Sequence, residues 1–150
     1  MFSGRYEHSL DEKGRVSLPA KFRETLKKDY ANDKLIITTM DGCIYCYPYQ
    51  EWKVLEEKAV SFDLVKPEDK NFMRLFFSGA MECIPDKLGR ILLPPTHRDY
   101  AGIKKEVTLA GMLKRIEIWS KERFDEKILK PSQEGNGSAS LSEMASRLGI

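Results

Sequence analysis

Arg15 and Arg90 sit in closely similar settings: residues 10–19 read LDEKGRVSLP and residues 85–94 read PDKLGRILLP. A guanidinium is planar and permanently charged, and its fork of donors matches a phosphate or the O6/N7 edge of guanine. Carried on a stiff turn, it would grip such a group without first having to be ordered. Asp11 and Asp86 lie four residues before the arginines and could brace the turn or the guanidinium. As a bare surface ion pair, each would contribute only about 0–1 kcal/mol. Lys13, Lys21 and Arg23 near the first copy, and Lys87 and Arg98 near the second, suit phosphate contacts that fix position without reading sequence. Gly14 and Gly89 suit the positive φ that closes such a turn. The candidate nucleic-acid contacts are therefore Asp11, Lys13, Gly14, Arg15, Lys21 and Arg23, with Asp86, Lys87, Gly89, Arg90 and Arg98.

The charge distribution agrees. The formal net charge of the 150-residue chain is only +2. Yet residues 12–28 hold six basic side chains against two acidic, and residues 87–105 hold five against one. Positive charge thus follows each copy of the motif, which points to an anionic partner. No apolar run approaches the roughly 20 residues needed to cross a bilayer, and the first residues do not resemble a signal peptide. A cytoplasmic protein, associated with the nucleoid if its partner is DNA, is expected. Three cysteines, an odd number, argue against a secreted disulfide framework.

The two motif copies belong to a longer repeat. At an offset of 75, ten of the 22 positions from Phe2 to Arg23 are identical, including Phe2-Ser3-Gly4 with Phe77-Ser78-Gly79 and Glu7 with Glu82. Beyond them the offset falls to 72, pairing Ile44 with Ile116 and Tyr47 with Trp119. Each unit predicts β-β-α-β-β. Strands over 5–10 and 80–84 lead through a hairpin turn, Asp first and Gly last, into strands over 15–18 and 90–93. Pro19 and Pro94 then suit the first position of a helix. The first helix reaches about Lys28 with Phe22 and Leu26 inward, and its counterpart is shorter. Strands over 35–39 and 43–47 flank Asp41-Gly42, a strong hairpin signal, and strands over 106–109 and 115–119 flank Gly111. Four short strands cannot bury a sheet face alone, so the copies should interlock in one barrel-like core. The intervening segment predicts helices over 49–60 and from Pro67, the latter with Phe72, Leu75 and Phe76 on one side. A helix over 121–129 closes the second unit. SQEGNGSAS after Pro131 reads as a flexible linker, with a capping box at Ser140 and Glu143 beyond it.

Phe-Ser-Gly near the N-terminus, Asp-x-x-Gly-Arg-hydrophobic-x-Leu-Pro twice, and the aromatic helix between them resemble the MraZ family. These are bacterial transcriptional regulators of the division and cell-wall gene cluster, related to the AbrB-type DNA-binding fold. The resemblance covers about residues 1–130. It implies an α+β, mainly β fold: a swapped-hairpin, AbrB-like β-barrel formed by two ββαββ repeats. The repeats would span residues 1–50 and 77–130, with linking helices over 51–76 and a flexible tail over 131–150. It also implies a ring-shaped homo-oligomer that binds double-stranded DNA at direct repeats, including its own promoter. The family's Asp-x-x-x-Arg motif falls on Asp11 and Arg15 and on Asp86 and Arg90. The second repeat departs from the first at Leu88, which stands in the Lys13 position, and at His97, which stands in the Phe22 position.

Other constellations are weaker. Cys43 and Cys46 have Cys-x-x-Cys spacing, but on a strand residues three apart face opposite ways, and a second ligand pair is missing. His8 and His97 occupy different places in the two repeats, and Glu7 and Glu82 have no nucleophile or cofactor loop nearby. No cofactor, metal, small-molecule substrate or catalysis is therefore expected. The aromatics Trp52, Phe72, Phe76 and Phe77 read as core, with part of the group available to a subunit interface. The rival reading is a non-catalytic oligomeric scaffold whose basic turns contact acidic partners.

Overall fold

The structure, a computed structural model, describes residues 1–135 and 138–150. The first repeat contributes β1 (Arg5–Ser9), β2 (Arg15–Ser17), α1 (Ala20–Asp29), β3 (Leu35–Met40) and β4 (Cys43–Pro48). Helices α2 (Tyr49–Val60) and α3 (Pro67–Phe76) follow. The second repeat gives β5 (Met81–Cys83), β6 (Arg90–Leu92), α4 (Pro95–Ala101), β7 (Glu106–Met112) and β8 (Arg115–Ser120). Helix α5 (Lys121–Phe124) runs through a π-helical turn (Asp125–Leu129) into α6 (Lys130–Gln133), and α7 covers Ser138–Arg147.

The strands form a six-stranded sheet, β1-β7-β8-β4-β3-β5, and a two-stranded ribbon, β2-β6. All pairings are antiparallel. The first strand of each repeat lies on the other repeat: Tyr6 faces Leu109 and Glu82 faces Ile36. The two repeats interlock as expected, but the strands do not close into a barrel: β1 and β5 end the sheet as edges, and the ribbon stands apart from its ladder. Nor is β1–β2 a hairpin. β1 pairs with β7 and β2 with β6, so the turn between them carries the chain from one sheet into another.

Both faces of the large sheet are covered, which is why β3 and β4 are buried almost end to end. One face, with Leu35, Ile37, Ile44, Ile116 and Ile118, packs under Val16 and Ile91 of the ribbon and Phe22 and Leu26 of α1. The other, with Ile36, Tyr45, Tyr47 and Trp119, packs against Trp52 of α2, Phe76 of α3 and Phe124 of α5. Cys43 and Cys46 fall on these opposite faces, as the strand alternation requires.

Local chemistry explains the boundaries. Asp41 and Gly42 both take positive φ (56° and 79°), the turn that matches the twist of a two-residue hairpin. Pro19 and Pro94 sit one position earlier than expected, capping α1 and α4 instead of entering them. The Pro19 carbonyl accepts the first hydrogen bonds of α1, from Phe22 and Arg23. Gly111 does not mark the second hairpin turn, which lies at Leu113 and Lys114; it lies inside β7. The N-terminal segment crosses there, hydrogen-bonded from Gly111 N to Gly4 O (2.8 Å) and between Phe2 and Leu113. A Cβ on Gly111 would overlap the Ser3 backbone nitrogen and sit 2.6 Å from Ser3 Cα. This crossing seats Phe2, fully buried, edge-on to Phe22 at 5.6 Å.

The tail is more regular than its composition suggests. Helix continues through Pro131 to Gln133, and Ser140 lies inside α7, two residues past its start, so it does not cap it. Of the expected linker, Asn136 and Gly137 lie outside the described residues. No helix among the described residues is long and apolar enough to cross a membrane.

Gly111→Ala is expected to destabilise the chain by about 1–3 kcal/mol, the range for forcing atoms into a filled site. The urea midpoint should fall with the m-value unchanged; an unaltered midpoint would contradict this crossing.

Candidate functional site

The two motif turns meet on one face. In the ribbon that joins them, Val16 pairs with Ile91, its own counterpart in the repeat, so the two loops are related by a local two-fold axis. Each turn also clasps the other: Leu18 N donates to Gly89 O (2.9 Å) and Leu93 N donates to Gly14 O (3.0 Å).

Inside each loop one carboxylate organises the backbone. Asp11 Oδ1 accepts from Lys13 N and Arg15 N, both at 2.9 Å, while Oδ2 accepts from Arg15 Nε at 2.7 Å. Asp86 repeats the pattern with Leu88 N and Arg90 N at 2.9 Å and Arg90 Nε at 2.8 Å. Gly14 and Gly89 take φ of +80° and +76°, and each donates its N–H to the aspartate carbonyl that opens its turn. The arginines also look across the axis. Arg15 Nη1 lies 4.0 Å from Asp86 Oδ2, and Arg90 Nη1 lies 3.8 Å from Asp11 Oδ2. Two carboxylates and two guanidiniums thus form a near-neutral square.

The arginine side chains are only 29% and 28% exposed. They do not reach freely from a tip, as the sequence suggested, but lie held against their own turns. Their Nη2 groups make no hydrogen bond among the described residues and keep donors for a ligand. Lys13 and Lys87 are exposed on the turns, and Lys21 and Arg23 are exposed on α1. Arg98, half-buried on α4, donates from Nε to Leu93 O at 3.0 Å.

Sequence reasoning missed which helix serves which loop. Arg98 of the second repeat lies over Gly14 of the first: a Cβ there would meet its Cζ at 3.1 Å. Arg23 of the first lies over Gly89 of the second, where a Cβ would meet its Cδ at 2.5 Å. Nothing in the one-dimensional pattern signals this exchange. The departures of the second repeat are visible as well. Leu88 is exposed, whereas His97 is buried with Nε2 2.8 Å from Gly79 O. Among the described residues no cluster of three or more His, Cys, Asp or Glu could hold a metal.

Two interlocked β-rich repeats that present a shared loop pair flanked by exposed cations define a tandem-repeat protein with one composite polar face. The family model described as "MraZ protein, putative antitoxin-like" matches residues 1–75 and again 76–148. "Transcriptional regulator MraZ" of Natranaerobius thermophilus is 50% identical over 126 residues, covering 83% of this chain and 85% of its own length. The protein of the same name from Clostridium beijerinckii is 46% identical over 127 residues, with 84% and 86% covered. That of Pelotomaculum thermopropionicum is 39% identical over 148 residues, covering 99% and 95%. The chain belongs to the MraZ family.

The loop carboxylates are strongly acidic. Asp11 is held down to about 2, first by the hydrogen bond from the Arg15 backbone N–H, and Asp86 is lowered first by that from Arg90. A depressed native pKa adds stability above the ordinary value of 3.8, and that contribution is lost as pH falls toward about 2. Asp11→Asn is therefore expected to lose less stability than the parent across that interval. Parallel decline of the two proteins in acid denaturation would contradict the loop geometry.

Proposed function

We propose that this chain is a sequence-specific, DNA-binding transcriptional regulator, acting without catalysis on the nucleoid in the cytoplasm. Its sites are direct repeats upstream of the division and cell-wall gene cluster, including its own promoter. The observation that carries this reading is the loop pair: Arg15 and Arg90 are pre-set by Asp11 and Asp86 on a two-stranded ribbon. An element of that width fits the major groove of B-DNA. Lys13, Lys21, Lys87, Arg23 and Arg98 lie on the same loops and the helices that follow them, and would take phosphates. Gly14 and Gly89 supply the positive φ that shapes the turns holding these arginines. The relatives' name, transcriptional regulator, supports the same assignment.

Repeats 1–50 and 77–130 make the DNA contacts, leaving 51–76 and the tail for assembly. The homo-oligomer is a ring closed by head-to-tail contacts, an arrangement that presents successive subunits with one polarity and so suits direct repeats. Exposed Val60, Phe62, Val65 and Phe72 between and on α2 and α3 supply apolar surface for such contacts. Engagement of several subunits by one promoter raises avidity by about 10²–10⁴.

Binding of the chain's upstream DNA should fall steeply with salt, as expected when several phosphates are neutralised. Arg15→Ala should lose discrimination between that DNA and a random duplex, by about 1–3 kcal/mol for a bidentate base contact, with native mass unchanged. Failure of the parent protein to bind its upstream DNA even at low salt would overturn the proposal in favour of a scaffold for acidic proteins. Loss of assembly in Arg15→Ala would give the arginine a structural task instead.

A further inference from the structure

We propose that the arginines gripping phosphate are Arg23 and Arg98, and that each serves the loop of the opposite repeat. This rests on the DNA-binding reading and assigns the charges within it. Arg15 and Arg90 each spend Nε on their own loop carboxylate and turn Nη1 toward the other one, so their charge is already largely matched. Arg23 makes no hydrogen bond or ion pair from its guanidinium among the described residues. Arg98 uses only Nε, and on a neutral carbonyl, leaving both Nη groups with their hydrogens free. An added polyanion therefore gains more from Arg23 and Arg98, which form no ion pair among the described residues, than from the motif pair.

Their placement is specific. Arg98 lies over the Gly14 turn, its Cζ, Nε and Nη2 within 3.1–3.3 Å of where a Cβ would stand. Arg23 lies over the Gly89 turn, with Cδ at 2.5 Å and Nε and Nη1 at 3.1 Å from the equivalent point. Each glycine thus has a second task beyond its positive φ: the missing side chain leaves a seat for a guanidinium delivered by the other repeat. The seat holds the long side chain beside the loop, which lowers the ordering cost of a phosphate contact. The phosphate-binding unit is accordingly Lys13 and Arg98 beside the first loop and Lys87 and Arg23 beside the second, with Arg15 and Arg90 held by the loop carboxylates between them. Neither repeat supplies either set by itself.

The test is a pair of double-mutant cycles on the full-length protein. Gly89→Asn keeps a residue that tolerates positive φ but fills the seat. It is combined with Arg23→Ala and, separately, with Arg98→Ala. Each variant is measured by urea unfolding and by binding to the chain's own upstream duplex and to a random duplex at several salt concentrations. Arg23→Ala and Arg98→Ala should each weaken both duplexes alike and reduce the slope of log K against log salt by about one. Gly89→Asn should mimic Arg23→Ala, be non-additive with it, and be additive with Arg98→Ala. Additivity with Arg23, or coupling to Arg98 instead, would overturn the crossed seating. Unchanged salt slopes in both arginine variants would overturn the phosphate assignment. If the parent binds neither duplex, the regulator reading falls, and the unfolding cycle still decides the seating. Should Gly89→Asn not fold, the salt slopes of the two arginine variants decide the assignment.

Discussion

The first strand of each repeat is hydrogen-bonded into the other, β1 along β7 and β5 along β3, and the remaining geometry follows from that exchange. A repeat alone would keep one hairpin and two unpaired strands, which is too little sheet to be stable in water. With the strands exchanged, β1 and β5 occupy opposite edges of one sheet. The segments that follow them must both return over the same face, where they meet as the β2–β6 ribbon. The axis that relates them passes through Val16–Ile91 in the ribbon and through Tyr45–Glu117 in the central β4–β8 pair. Side-by-side placement of the two loops is thus a consequence of strand pairing at the far edges, and the many long-range pairings favour slow, cooperative folding.

Electrostatics in the loop pair has two layers. The aspartates satisfy backbone donors and hold a guanidinium, which makes the turns rigid but nearly neutral. Charge available to a partner comes from residues that make no ion pair among the described residues, on the exposed turns and on α1 and α4. Shape and charge are therefore carried by different residues: the doubled motif fixes the shape, and less conspicuous side chains around it supply the field. On the opposite face the polar chemistry is turned inward. Glu117 is buried, its Oε2 accepting from Arg115 at 2.7 Å and its Oε1 from Trp119 Nε1 at 3.0 Å, with Arg115 stacked on Tyr45.

Much of this was legible in the residues because the signals were local. Asp41-Gly42 fixed one hairpin, Trp52 and Phe76 at helical spacing located α2 and α3, and the shift of offset from 75 to 72 placed equivalent strands in both repeats. Pairing was not legible. Apolar alternation tells which side of a strand is buried, not which neighbour it takes, so the pattern suggested a hairpin and a barrel-like core where the chain builds an open sheet and a ribbon. Gly111 illustrates the limit. As a glycine between two strands it reads as a turn, yet its reason is the passage of Ser3, over a hundred residues away. The Arg23–Gly89 and Arg98–Gly14 contacts are hidden for the same reason, since each partner has an adequate local explanation alone.

Differences between the repeats bear on how the proposed DNA complex would be oriented. The ribbon is antiparallel, so its two loops approach a surface with opposite polarity, as half-sites of a palindrome require. The loops are nevertheless unequal. Lys13 faces solvent in one and Leu88 in the other, α1 runs ten residues and α4 seven, and the buried place of Phe22 is taken by His97, which is tied to Gly79. Both loops carry one exposed lysine, but at different places: Lys13 beside Glu12 in one, and Lys87, one position earlier and beside the apolar Leu88, in the other. In the proposed complex that inequality would give a subunit a direction along the duplex despite its internal two-fold axis. Successive subunits aligned in the same direction would read the same short sequence in the same sense, which would reconcile a nearly symmetric loop pair with the proposed direct-repeat sites.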